Sequence, residues 1–360
     1  MKPTQELHDL GQSLWLDNIT RPMLDDGTLE GYINDLSVTG LTSNPTIFEK
    51  AVTAGDAYNA QMDELREQGL DPEPLFFELA IADLRRAADL FKAEHERTDG
   101  VDGFVSLEVS PKLAYDTDAT VKQAADLHGK ADRPNLFIKI PGTPEGLPAI
   151  EESIFAGIPV NVTLLFSSEH HLAAADAYLK GIERRVEAGL DPEVESVASL
   201  FMSRWDVAAE KDGIPDDLKM KLGIAIGKRA YRGYRELLDS ERLQKLENEG
   251  ARPQRLLWAS TGTKDPDASD THYIEGLASP NTVNTMPEDT LLAFADHGVV
   301  GDPLPGDGGD GEAVLAEFTE AGVDVDALAA RLQTEGADAF VKSWDSLIES
   351  ISAEAQKLAS

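Results

Sequence analysis

Apolar, β-branched runs alternate along this chain with longer stretches whose apolar residues recur at helical spacing. Eight short runs read as strands: 13–17 (SLWLD), 38–43 (VTGLTS), 103–109 (GFVSLEV), 135–140 (NLFIKI), 158–166 (IPVNVTLLF), 196–201 (SVASLF), 255–260 (RLLWAS) and 281–286 (NTVNTM). Between them lie helical patterns such as 73–96, where Phe77, Ala80, Leu84, Ala87 and Phe91 share one face, and the long stretch 216–249. Alternation of this kind predicts a parallel sheet with helices outside it. Eight strands suit an α/β fold of the closed (β/α)8 TIM barrel type. A doubly wound open sheet is the alternative. From residue 312 onward the pattern is helical again, so the reading is one barrel domain over 1–360 with C-terminal helices packed on it.

The run NLFIKIPGT, Asn135 to Thr143, breaks its own pattern. Leu136, Phe137, Ile138 and Ile140 are apolar, yet Lys139 sits among them. In a barrel of this type the chemistry lies at the C-terminal ends of the strands. Those ends carry Asp17, Asn44, Glu108, Lys139, Asn161, Thr163, Ser199, Phe201, Arg204, Ser260 and, further on, Lys264. Each has an ordinary explanation. Lys139 and Glu108 can be a structural ion pair, Asp17 a helix cap and Asn44 a turn residue before Pro45. Asn161 and Thr163 can be satisfied core polar groups, and Arg204 can pair with one of many acids.

Together they suggest one chemistry. An amine among apolar side chains loses solvation, which favours its neutral form, and a neutral amine adds to a ketone to give a Schiff base. The protonated imine withdraws electrons from the neighbouring carbon–carbon bond, so aldol cleavage needs no metal and no organic cofactor. Asp17 and Glu108 are then available to move protons, Asn44 and Asn161 to hold sugar hydroxyls, and Arg204 to hold a phosphate.

Composition narrows the field. The 360 residues contain no cysteine, which excludes disulfides, thiolate catalysis and zinc–thiolate or iron–sulfur sites. The N-terminus MKPTQELHDL has no secretory pattern, and no run of about 18 apolar residues spans a bilayer, so a cytoplasmic protein is expected. A net charge of −34, from 66 acidic and 32 basic residues, repels nucleic acid and anionic membrane. An anionic substrate would therefore need local positive charge at its site. None of the seven histidines forms a metal-binding pair in sequence. The stretch 265–276 (DPDASDTHYIEG) lacks the glycine and glutamate of a calcium loop. The Gly306, Gly308, Gly311 spacing follows no strand and carries Asp307 and Asp310, so it reads as a turn-rich connector rather than a nucleotide site.

The motifs GLTSNPTIF, VSLEVSP, FIKIPGT, NVTLLFS and SLFMSRWD, in that order, resemble the bacterial single-chain transaldolases. The resemblance runs from LWLDNITR to about NTVNTMP. It implies a barrel of the class I aldolase superfamily and transfer of a dihydroxyacetone unit between sugar phosphates in the pentose phosphate pathway. It assigns the imine to Lys139 and the acid/base role in bond cleavage to Asp17. It gives Glu108 with Thr163 a proton-relaying water, and Asn44 and Asn161 the dihydroxyacetone unit. Ser199 and Arg204 resemble a phosphate site, with Phe201 over the lysine. Many relatives carry a second phosphate-binding arginine after strand seven. Here the segment is WASTGTKDP, and Lys264, with Ser260 beside it, stands in its place. The nearest rival is a fructose 6-phosphate aldolase-like simple aldolase, whose relatives are shorter and carry glutamine and tyrosine at the positions of Glu108 and Phe201. Rivals of other classes are a metal-dependent barrel lyase or hydrolase and an inactive sugar-phosphate-binding module. A monomer or a homodimer is expected.

Overall fold

The computed structural model describes residues 1–359. Its eight strands are β1 (Gln12–Asp17), β2 (Val38–Thr42), β3 (Val105–Glu108), β4 (Leu136–Pro141), β5 (Val160–Leu165), β6 (Ser196–Phe201), β7 (Arg255–Ala259) and β8 (Thr282–Met286). All ladders are parallel, and the order β2-β1-β8-β7-β6-β5-β4-β3 brings the first strand beside the last. The remaining seam, between β2 and β3, is bridged by two backbone bonds: Leu41 N–H to Phe104 O (3.0 Å) and Gly103 N–H to Thr39 O (3.0 Å). Gly40 marks this seam. A Cβ there would lie 2.6 Å from Trp15 Nε1 and 2.7 Å from Phe104 O, so only glycine lets the strands approach. The result is the nearly closed (β/α)8 barrel that the eight apolar runs predict.

Strand alternation sorts side chains into two apolar layers. Leu136, Ile138 and Ile140 of β4 face outward into the layer beneath the helices. Phe137 faces inward and stacks on Phe104 at 4.0 Å, with Trp15 6.0 Å away. These rings fill the barrel's lower interior. Lys139, two residues along, faces inward one layer higher, above that aromatic floor.

Helices cover the outside as expected, with one difference. The stretch 216–249 reads as continuous but divides into a 3-10 turn (Asp216–Leu218) and helices Leu222–Leu238 and Glu241–Asn248. Met220 adopts φ 59°, which ends the first piece. Ser240 caps the last helix, its side chain accepting from Leu243 N–H. The connector 301–310 has no regular structure before the helix Gly311–Glu320. The final helix, Val325–Leu358, runs back over the barrel. Its Trp344 is buried against Phe76 (5.1 Å) and Phe77 (5.5 Å) of the helix Pro72–Arg97. Among the described residues no helix is long and apolar enough to cross a membrane.

Candidate functional site

Register decides which polar side chains meet. In the β3–β4–β5 ladder, Glu108 pairs with Lys139 and Lys139 with Asn161, so the three occupy one level of the interior. Lys139 is 6% exposed and Glu108 5%, so both lie almost wholly inside the protein. Lys139 Nζ donates to Glu108 Oε2 (3.3 Å) and to Ser43 O (3.3 Å). The ordinary reading of these two as an ion pair is therefore correct as geometry, and it is compatible with chemistry. Burial raises the Glu108 carboxyl above its usual range, with the Lys139 charge opposing. The raised Glu108 carboxyl is thus within reach to take a proton from the amine when that amine reacts.

Asp17 ends β1 at the same mouth. Thr42 Oγ1 donates to its Oδ1 at 2.8 Å. Burial raises its carboxyl, while Lys139, the Thr42 bond and Lys264 pull the other way. Glu108 Oε1 and Thr163 Oγ1 are buried without a protein partner, so each has hydrogen-bonding capacity left for a small molecule between the strands. Thr163 lies within a break in the β5–β6 ladder between Val162 and Leu165, where Leu164 takes φ 61°. Such a bulge re-aims side chains at a barrel rim.

A pocket of about 570 Å³ opens above this level. Asp17, Asn44, Lys139, Thr163, Ser199, Phe201, Arg204, Ser260 and Lys264 line it. Glu108 and Asn161 stand behind the lining, Glu108 on Lys139 and Asn161 on Ser199. The Asn161 carboxamide accepts from Ser199 Oγ (2.7 Å) and donates to Ser106 Oγ (3.2 Å). Asn44 does two things at once. Its Oδ1 caps the helix Pro45–Thr53 by accepting from Ile47 N–H (3.1 Å), and its amide nitrogen remains for the pocket. Ser260 has φ 55° at the end of β7, and its hydroxyl lies 2.8 Å from that of Ser203.

Charge around the mouth inverts that of the molecule. Four basic side chains line the pocket, Lys50, Lys139, Arg204 and Lys264, against the single carboxylate of Asp17. Arg204 has no hydrogen bond or ion pair to protein among the described residues, although burial disfavours its charge. Its guanidinium instead lies against the Phe201 ring (5.1 Å) and the Phe340 ring (5.6 Å). An unpaired, half-buried cation in so acidic a chain is a place for an anion.

Sequence reading missed Lys50, Phe340 and Ser343. Lys50 sits in the helix after β2, and the other two in the C-terminal helix, outside the strand-end positions where chemistry was sought. Among the described residues no group of three or more histidine, aspartate or glutamate side chains is arranged to hold a metal ion.

Comparison with known proteins adds independent support. Residues 14–351 match the family model described as "Transaldolase/Fructose-6-phosphate aldolase". A transaldolase of Mycolicibacterium smegmatis is 46% identical over 347 residues, covering 94% of each chain. One of Saccharopolyspora erythraea is 45% identical over 353 residues, 96% of each. One of Thermobifida fusca is 46% identical over 365 residues, 99% of this chain and 98% of its own.

Proposed function

The chain belongs to the transaldolase/fructose-6-phosphate aldolase family, and from that premise we propose how its own residues carry the transfer. The enzyme is a transferase that moves a dihydroxyacetone unit between sugar phosphates; the simple-aldolase reading is not favoured by relatives named transaldolase along the whole chain.

Lys139, neutral after passing its proton to Glu108, adds to the ketose carbonyl, and loss of water gives the imine. Asp17 takes the proton of the hydroxyl next to the bond that breaks. The carbon–carbon bond opens, the aldose phosphate leaves, and the electron pair moves into the imine as an enamine on Lys139. Addition of the second aldose phosphate reverses these steps, and water then frees Lys139. Glu108 and Thr163, each with a buried oxygen that has no protein partner, hold the water that shuttles protons at the imine. Asn44 and Asn161, the latter through Ser199, orient the dihydroxyacetone hydroxyls. Arg204 holds the phosphate, with Lys264 and Ser260 beside it in place of a second arginine. The proposed setting is the cytoplasm, with the chain acting as a monomer or homodimer and as one unit over residues 1–360.

The observation that carries this reading is the buried Lys139–Glu108 pair facing a pocket that also holds Asp17. The test is to incubate the enzyme with fructose 6-phosphate and erythrose 4-phosphate and follow both products. Sedoheptulose 7-phosphate should form far faster than free dihydroxyacetone, with no loss of rate in EDTA. Faster release of dihydroxyacetone would make the chain an aldolase, and loss of activity in EDTA restored by a divalent ion would overturn the imine mechanism.

A further inference from the structure

The C-terminal helix, far from the strands in sequence, forms one wall of the pocket through Ala339, Phe340 and Ser343. Gly336, Phe340 and Ser343 recur on one of its faces at helical spacing, and Gln333 lies one turn before them. Gln333 Nε2 donates to Gly142 O (3.1 Å), just beyond β4, and to Leu164 O (3.0 Å), near the end of β5. Those strands carry Lys139 and Thr163, so this side chain fixes the helix in register with the reactive level.

Past that tether the helix meets Arg204. The Phe340 ring centroid lies 5.6 Å from the Arg204 Cζ and 5.7 Å from Lys139 Nζ, and it packs edge-on to Phe201 at 6.4 Å. Gly336 lies against the same guanidinium. A Cβ at 336 would stand 3.2 Å from Arg204 Nη1, 3.1 Å from Leu164 Cδ2 and 3.4 Å from Phe166 Cζ. A glycine inside a long helix weakens that helix, and here it leaves room for a cation. Two aromatic faces hold a guanidinium through its plane and use none of its N–H donors.

We propose that the C-terminal helix completes the phosphate subsite: Gly336 and Phe340 are positioning residues that hold Arg204 against Phe201 with its donors free for the phosphate. The helix thereby sets the enzyme's preference for phosphorylated aldehydes. This rests on the reading of Arg204 as the phosphate-holding group.

The full-length chain and its Gly336→Ala, Phe340→Leu, Phe340→Tyr and Arg204→Ala variants would be assayed with sedoheptulose 7-phosphate as donor. The acceptor would be either glyceraldehyde 3-phosphate or glyceraldehyde, with kcat/KM measured for each and Tm recorded. Gly336→Ala and Phe340→Leu should lower kcat/KM for the phosphorylated acceptor by about 3- to 30-fold, as loss of a cation–ring contact allows. For glyceraldehyde, which carries no phosphate, the loss should be clearly smaller than for the phosphorylated acceptor. Phe340→Tyr keeps a ring and should keep the preference. Gly336→Ala favours the helix, so its loss of preference should come with an undiminished Tm. An unchanged preference in Gly336→Ala and Phe340→Leu, with Arg204→Ala losing it, would overturn the inference and leave the phosphate role of Arg204 standing. Equal losses for both acceptors would make the helix merely structural. A preference that survives Arg204→Ala would remove the premise and the inference together.

Discussion

At the scale of single residues, environment rather than identity separates the two carboxylates. Asp17 reaches the pocket surface and accepts one hydroxyl bond, whereas Glu108 is closed in against Lys139. Asp17→Ala should still form the imine but lose activity by about 100-fold or more, as removal of a general base does. Because burial holds the Asp17 carboxyl above its ordinary range, kcat should fall as pH drops through a value above that range, and Asp17→Asn should lose this limb. Near-full turnover without Asp17 would make it a structural group bonded to Thr42. Phe201 tests the other half of the reaction. It offers an apolar face and no hydroxyl, so the enamine should stay unprotonated until an acceptor arrives. Phe201→Tyr should shift products toward free dihydroxyacetone, and an unchanged ratio would leave Phe201 as packing. Most of these residues are legible because they end strands whose alternation is plain in the sequence. Lys139 stands out for being charged in an otherwise apolar strand. Phe340 and Gly336 were not legible, since a phenylalanine and a glycine in an amphipathic helix look like any others until the helix is laid over the mouth.

At the scale of elements, the strands carry strong signals and the helix breaks weak ones. The strands are short β-branched runs between longer helical patterns, so all eight are visible, although β2 (VTGLT) and β8 (TVNTM) bury polar residues too. The division of 216–249 turns on a positive φ at Met220 and a serine cap, neither of which disturbs the apolar period. The helix Ser168–Glu187 holds a further feature that no pattern announces. His171 is fully buried, neither ring nitrogen has a protein partner, and its ring meets Tyr234 at 5.9 Å. Burial lowers its pKa from 6.5 to about 4. The unfolded chain therefore takes up a proton at His171 that the folded chain refuses between those values, and stability falls as pH falls through that window. The loss should be on the order of 3 kcal/mol, at about 1.4 kcal/mol per pH unit. Denaturant unfolding from pH 7 to pH 4 should show a shallower decline in His171→Phe; identical slopes would mean the histidine is protonated or hydrated in the fold.

At the scale of the molecule, charge is divided between a strongly acidic exterior and a basic mouth. A net charge of −34 repels itself, and salt screens that repulsion over a Debye length of about 10 Å at 0.1 M. The Tm should therefore rise as sodium chloride goes from about 0.01 M to about 1 M, where that length shrinks to roughly 3 Å; a Tm that falls would assign the acids to ion pairs that stabilise the fold. Composition announces the exterior, but the mouth depends on where four cations meet in space, and Lys50 and the C-terminal helix join it only after folding. All of this chemistry converges on one amine. The most direct measurement is borohydride reduction in the presence of fructose 6-phosphate, followed by peptide mass spectrometry. A reduced dihydroxyacetone adduct on Lys139, absent from Lys139→Ala together with turnover, is the result predicted here. An adduct on Lys50, Lys112 or Lys264, or turnover that survives in Lys139→Ala, would contradict it.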